Sequence, residues 1–230
     1  MNEFLSGSVF FGVFLSLFFY EIGVLMKKKW NHVLVNPLLI CVICTIAFLL
    51  VFRIDYATYY NGAKYLGYLL TPATVCLAVP LYEQFEMLKK NVAAVLAGIL
   101  SGVLTSVLSV LALSVLFSLS HEEYVTLLPK SVTSAIGMGI ADRLGGYGSV
   151  AAAVIILTGI FGNIIAETVC RLFHISDPVA KGVAIGTSSH AIGTAKAMEM
   201  GDVEGAMSGL SIAVSGIITV VAAAVFAKIY

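Results

Sequence analysis

Charge is scarce in this chain. Asp, Glu, Lys and Arg make up 11% of its 230 residues, against about 25% in soluble globular domains. The 13 basic and 13 acidic residues cancel, which removes the electrostatic case for a nucleic-acid partner. Cysteine is rare too, with four in all. Cys41 and Cys44 have the spacing of a redox pair, but Val42, Ile43, Ile46 and Phe48 surround them, so they read as small hydrophobes. No Gly-x-Ser-x-Gly, P-loop or metal-spaced His/Cys group occurs, so no enzyme activity, cofactor or metal is expected. The N-terminus lacks a basic leader region and a small-residue cleavage site, so no removable signal is expected.

What is abundant is uncharged apolar sequence. No Asp, Glu, Lys or Arg interrupts 4–20, 30–52, 65–82, 91–121, 144–166 or 205–227. A membrane-crossing helix needs roughly 20 such residues. The expected fold is therefore an all-α polytopic membrane protein with about 6–8 membrane segments, a single transmembrane domain over 1–230. Spans are expected near 4–25, 35–52, 65–84, 92–118, 148–170 and 205–228, with Arg53–Tyr60 as a loop and His121-Glu122-Glu123 as a turn. Lys27-Lys28-Lys29 after the first span belong in the cytoplasm by the positive-inside rule, leaving the N-terminus outside. Gly98 and Gly102 give the long central span a face for close helix packing.

Three stretches do not suit plain lipid-facing helices. Residues 70–80 carry Pro72 and Pro80, each lacking a backbone donor and clashing with the preceding turn. Thr71-Pro72 has the form of an N-cap followed by a first helical residue. Lys130-Ser131-Val132-Thr133 opens a segment too short to cross alone, expected to be re-entrant or discontinuous. Residues 184–199 mix Thr187, Ser188, Ser189, His190, Thr194 and Lys196 with Gly186 and Gly193. Broken backbone at membrane depth is tolerated only where protein or water covers it. The first and third stretches also align. Thr71 through Glu83 overlays Thr187 through Glu199 without a gap, and Ser101–Thr105 overlays Ser215–Thr219. Two repeats, 1–119 and 120–230, follow as an expectation, inverted if 131–146 does not cross.

Two half-helix N-termini at Thr71/Pro72 and Thr187/Ser188 would carry partial positive charge and cradle a small anion. The hydroxyls of Thr74, Ser188, Ser189 and Thr194 would complete its hydrogen bonds, with Gly193 beside them. Lys130, Ser131 and Thr133 form a further candidate patch. His190 either binds a carboxylate, carries a coupled proton, or is a structural histidine bonded to backbone. Lys196 either meets the substrate or pairs with Glu199 one turn on.

Leu70-Thr71-Pro72-Ala73-Thr74, Ala78-Val79-Pro80-Leu81-Tyr82, Leu128-Pro129-Lys130-Ser131-Val132-Thr133, His190-Ala191-Ile192-Gly193-Thr194-Ala195-Lys196-Ala197 and Glu204-Gly205-Ala206 stand in this order along the chain. Together they resemble the LrgB/CidB family, nearly end to end. Ala135 departs from the proline that many members carry after Thr-Ser, which makes helix entry there less rigid. The resemblance implies a bacterial inner-membrane protein working with a smaller LrgA/CidA-type membrane partner, in the lipid bilayer. It implies either an antiholin-like or holin-like effect on murein hydrolase activity and lysis, or transport of a small carboxylate of the pyruvate, glycolate or glycerate class. A carrier of this size often forms a homodimer. Carboxylate transport through the broken segments is the leading expectation, because a holin has no need of a specific polar site.

Overall fold

The computed structural model describes residue 8, residues 10–30, 35–69, 72, 75–76 and 78–230. Among them every regular element is helical, and the chain forms two compact units, Met1–Cys76 and Leu77–Tyr230. Among the described residues four helices are long and apolar enough to cross a membrane: Phe10–Trp30, Lys89–Phe117, Gly148–Leu172 and Asp202–Phe226.

The first unit holds α1 (Phe10–Trp30), α2 (Pro37–Val51) and α3 (Tyr56–Tyr68). Asn36 caps α2, its side-chain oxygen accepting from Leu38 N at 2.9 Å and Leu39 N at 3.2 Å, with Pro37 in the first turn. The expected loop over Arg53–Tyr60 is instead helical from Tyr56 onward. Packing on α1 accounts for it. Gly12 lets α1 approach the Tyr59 carbonyl and the Ala63 amide, and the Ser16 and Tyr59 hydroxyls share a 2.8 Å hydrogen bond.

The second unit begins with the short α4 (Ala78–Glu83), packed on the last helix. Next comes α5 (Phe85–Phe117), 33 residues and about 50 Å long. It starts earlier than expected. Glu86 and Lys89 form a 3.1 Å pair on its surface, so the helix runs out past the roughly 30 Å apolar layer. A left-handed Ser118 (φ 52°) ends it. The expected turn at His121 is the first residue of α6 (His121–Leu127), which opens on a capping box. The Ser120 hydroxyl accepts from Glu123 N, and the Glu123 carboxylate accepts from Ser120 N.

α6, the irregular residues 128–133 and α7 (Ser134–Arg143) form a hairpin whose second limb runs back beside the first. Tyr147 N, after the second limb, donates to Thr126 Oγ1 on the first at 2.8 Å. At only ten residues, α7 is about 15 Å long and cannot span. The segment is re-entrant. α8 (Gly148–Leu172) then runs to the opposite end of the unit, its first amide held by Asp142 Oδ1 at 2.9 Å.

α9 (Pro178–Met200) starts there, capped by Asp177, and is broken at His190, whose φ and ψ are 42° and −143°. The break reverses the chain. In a straight helix Ile185 and Gly193 lie about 12 Å apart, and Ile185 and Ala197 about 18 Å apart. Here a Cβ at Gly193 would sit 3.1 Å from Ile185 Cγ2, and Ile185, Ala197 and Ala166 share one apolar cluster. Limbs 178–189 and 191–200 thus form a second re-entrant hairpin, entering from the end opposite the first. α10 (Asp202–Phe226) lies along it. Gly182 and Gly186 bring the first limb against the Glu204 and Ser208 backbone.

Two apolar clusters hold the hairpin bases. Val107, Val110, Tyr124, Leu128, Ile140 and Ala223 form one. Val95, Ile99, Val103, Val183, Ala206 and Met207 form the other. The expected packing face of α5 is used, with Gly98 and Gly102 fitted to Val183 and Thr187.

The hairpin's dependence on bare glycine is testable. A Cβ at Gly186 would lie 2.8 Å from Ser208 Cα, whereas a Cβ at Gly139 meets nothing within 4 Å. Gly186→Ala should cost about 1–3 kcal/mol or more, since the obstacle is backbone. The thermal midpoint of the purified protein should fall by roughly 5 °C or more. Gly139→Ala should leave it unchanged or slightly raised. Equal midpoints for the two variants would refute the packing of this limb on α10.

Candidate functional site

The tips of the two hairpins meet. At the tip of the α6–α7 hairpin, Pro129 carries no amide proton, and the chain turns through Lys130 N to Leu127 O (3.1 Å) and Val132 N to Pro129 O (3.2 Å). This turn holds Lys130 partly buried. Its ammonium donates to Ser131 Oγ at 3.1 Å, and Ser131 Oγ shares a 3.1 Å hydrogen bond with Ser106 Oγ on α5. Among the described residues, no carboxylate lies within ion-pair distance of Lys130.

The α9 tip is held from behind. The His190 ring is 3% exposed and its Nε2 lies 2.9 Å from the Ile155 carbonyl on α8. A carbonyl only accepts, so Nε2 carries the proton. Gly159 leaves room for the ring, and Gly162 does the same for Ser189. Thr194 Oγ1 donates to His190 O at 3.0 Å, so the Ser208 hydroxyl, 2.7 Å away, donates to Thr194 in turn. Asn163 Nδ2 donates to Ile192 O at 2.8 Å. Ser188 Oγ donates to Ala184 O at 2.8 Å, the back-bond that lets a serine continue a helix.

That back-bond corrects one expectation. The half-helix that starts inside the protein begins after His190, not at Thr187/Ser188. Thr187 and Ser188 occupy the last turn of the incoming limb, where free carbonyls carry partial negative charge. They favour the ammonium of Lys130 and cannot attract an anion by themselves. Attraction for an anion comes from Lys130.

Two cavities flank the incoming limb of α9. The larger, about 700 Å³, lies against α5 and is lined by Ser101, Thr105, Ser106, Ser109, Ser131, Thr187 and Ser188, with Asp177 also on its wall. The Thr187 hydroxyl is buried and has no hydrogen-bond partner among the described residues. The smaller, about 320 Å³, lies against α8 beside Thr158, Gly162, Cys170 and Ser189. Lys130, Ala184 and Ser188 line both. The partly buried Lys130 therefore stands on the partition between two partly polar spaces. Among the described residues, no three His, Cys, Asp or Glu side chains gather as a metal would require.

Of the residues singled out from sequence, Lys130, Ser131, Thr187 and Ser188 come together on the larger cavity, and Ser189 faces the smaller. His190, Gly193 and Thr194 lie behind the tip and hold the reversal. Thr133 precedes α7 and lines neither cavity. Lys196 sits at the hairpin base, 3.3 Å from Glu199 and 3.2 Å from Glu167. Pro72 is exposed, and Thr71 and Thr74 lie outside the described residues. The α5 hydroxyls were missed. Their signal was present: Ser101, Thr105, Ser106 and Ser109 recur at helical spacing within a charge-free run.

A multi-pass helical membrane protein with opposed re-entrant hairpins and a polar site at their tips is the class these features define. Comparison with known proteins makes it specific. Residues 16–229 match the LrgB-like family, to which this chain belongs. It is 34% identical to the antiholin-like protein LrgB of Bacillus subtilis over 223 residues, covering 96% of each chain. It is 32% identical to the holin-like protein CidB of Staphylococcus epidermidis over 219 residues, covering 95% of each. These relatives and the four apolar helices make it a multi-pass protein of the bacterial cell membrane. No solved structure matches.

The tip support predicts a stability effect separate from any activity. Thr194→Val strips two buried hydrogen bonds and leaves Ser208 Oγ and His190 O facing a methyl group. The expected loss is about 1–3 kcal/mol, read as a lowered thermal midpoint. Ser101→Ala, at an exposed hydroxyl bonded only to Gly98 O, should leave the midpoint unchanged.

Proposed function

We propose that this protein carries a small monocarboxylate across the membrane, bound at the hairpin tips by Lys130 with hydroxyls from Ser106, Ser131 and Thr187. The single observation that carries this reading is the uncompensated Lys130 in a hydroxyl-lined cavity. A lysine at membrane depth costs about 2.5–3.5 kcal/mol on insertion scales, and such residues pair with something or mark a transport path. A carboxylate supplies the missing charge, and the orphan Thr187 hydroxyl supplies a further donor. A molecule the size of pyruvate, glycolate or glycerate fits with water to spare, since cavities of 300–1,000 Å³ hold drug-sized ligands. By the family resemblance the protein works with a smaller LrgA/CidA-type membrane protein. His190 keeps the site in shape and does not touch the substrate.

A second reading is that the protein is a holin-like or antiholin-like modulator of murein hydrolase activity and lysis. The names of its relatives favour it, and they speak for it more directly than for transport. The two are compatible if lysis responds to the metabolic state that carboxylate flux sets.

The experiment is counterflow of labelled pyruvate and glycolate in proteoliposomes, with and without the LrgA-type partner. Saturable exchange is expected, and Lys130→Met should cut it tenfold to a hundredfold. That range is the worth of a charge-assisted hydrogen bond, about 1.5–3 kcal/mol. Thr187→Val should raise KM a few-fold with little change in maximal rate. Leakage of unrelated dyes that survives Lys130→Met, with no saturable exchange, would sink the carrier and favour the lysis reading.

A further inference from the structure

A third cavity, of about 420 Å³, opens at the base of the α9 hairpin, lined by Glu167, Cys170, Arg171, Lys181, Lys196 and Glu199 among others. It shares Cys170 and Ile175 with the smaller cavity that ends on Lys130. The two spaces adjoin along the seam between α8 and α9, and no charged group of the chamber has a part in the binding described above.

Lys196, on the returning limb of α9, reaches Glu167 Oε2 on α8 at 3.2 Å and Glu199 Oε2 on its own limb at 3.3 Å. Lys181 lies 3.7 Å from the buried Glu204 carboxylate. Arg171 is exposed at the rim, with no carboxylate in ion-pair range among the described residues. The Glu167 and Glu199 side chains are 65% and 55% exposed. The Lys196 side chain between them is only 20% exposed, but carboxylates so wet hold it weakly. Glu167–Lys196 is a weak tie across the seam through which the chamber and the inner cavity communicate.

We propose that this chamber is the mouth through which the anionic substrate reaches Lys130, and that the Glu167–Lys196 pair is its latch. This rests on the carrier reading and adds the route. Arg171 and Lys181 draw the anion in. A substrate carboxylate is chemically the same partner for Lys196 as Glu167. Exchanging one for the other therefore keeps the ammonium paired while releasing the outer end of the returning limb from Glu167, with Asn163 still holding Ile192 deeper in. The seam at Cys170 then opens onto the inner cavity, and the carboxylate passes from Lys196 to Lys130.

Cys170 reports on this passage without any transport. Cys41, Cys44 and Cys76 are replaced by Ala in the full chain, reconstituted in proteoliposomes. Cys170 is then modified with methanethiosulfonates bearing either a sulfonate or a trimethylammonium group. The sulfonate reagent should react at least five times faster, and Lys196→Gln should abolish that preference. Glu167→Gln, at an exposed site, should speed both reagents several-fold, and pyruvate, which opens the same latch, should speed the trimethylammonium reagent. Equal rates for the two reagents, or no response to Glu167→Gln, would overturn the proposal, as would a Cys170 that stays unreactive in every variant. Counterflow that depends on Lys130 alongside charge-blind labelling removes the mouth and leaves the carrier. Charge-selective labelling with no counterflow does the reverse.

Discussion

The reversal at His190 is the constraint on which the second unit depends. Backbone that turns round at the depth of spanning helices has no water to satisfy it, so every freed amide, carbonyl and hydroxyl must find a protein partner or a cavity. A positive φ at a non-glycine residue adds a further cost, of order 1–3 kcal/mol. The surroundings meet both demands. Ile155 O takes the ring proton, Thr194 binds His190 O, and Ser208 binds Thr194. Glycines on three helices let these groups come close enough. Gly159 and Gly162 on α8 admit the tip, Gly102 on α5 admits Thr187, and Gly186 presses the limb onto α10. The many small residues of this chain are the steric condition for a hairpin buried among helices.

Two such hairpins, entering from opposite ends, divide the unit into layers. Apolar clusters close each base, and between them lies a polar layer built from Ser106, Ser131, Thr187, Ser188, Thr194 and Ser208. Most hydroxyls in that layer are satisfied internally and are structural. Lys130 and the Thr187 hydroxyl are different: among the described residues one is a cation without a counter-charge in ion-pair range, the other a donor without an acceptor. The carboxylate of the proposed substrate would satisfy both at once. The helix ends near them do not supply the attraction, because the incoming limb of α9 presents its carbonyl end. In the proposed carrier, selectivity for an anion rests on one ammonium group, and the hydroxyls serve shape and hydrogen bonding.

Much of this was legible in the amino-acid order. The charge-free runs declared spanning helices, since a charge in lipid is costly whatever the fold. The mixture of Gly, hydroxyls, His and Lys in 184–199 declared a broken element, and the brevity of 131–141 declared a segment that cannot cross. Both were visible because they violate what a lipid-facing helix needs. The Ser120–Glu123 capping box was also on the page and was passed over as a turn. The residue at which α9 breaks was not legible. Ser188 back-bonds and continues the helix, while His190 is drawn out of it by a carbonyl 35 residues away.

Composition and local pattern by themselves determined the class of protein, its helices and the neighbourhood of its polar site, because hydrophobic length and helix-breaking chemistry act within a few residues. Which interruptions meet was decided only by tertiary structure. The 128–133 turn and the 187–190 break come together because α5, α8 and α10 set two opposed hairpins to the same depth. The line of hydroxyls on α5 gained its role in the same way. No short-range rule ties Ser106 to Ser131 or Lys130 to Ser188. Their meeting is a consequence of helix length and glycine packing summed over the whole unit.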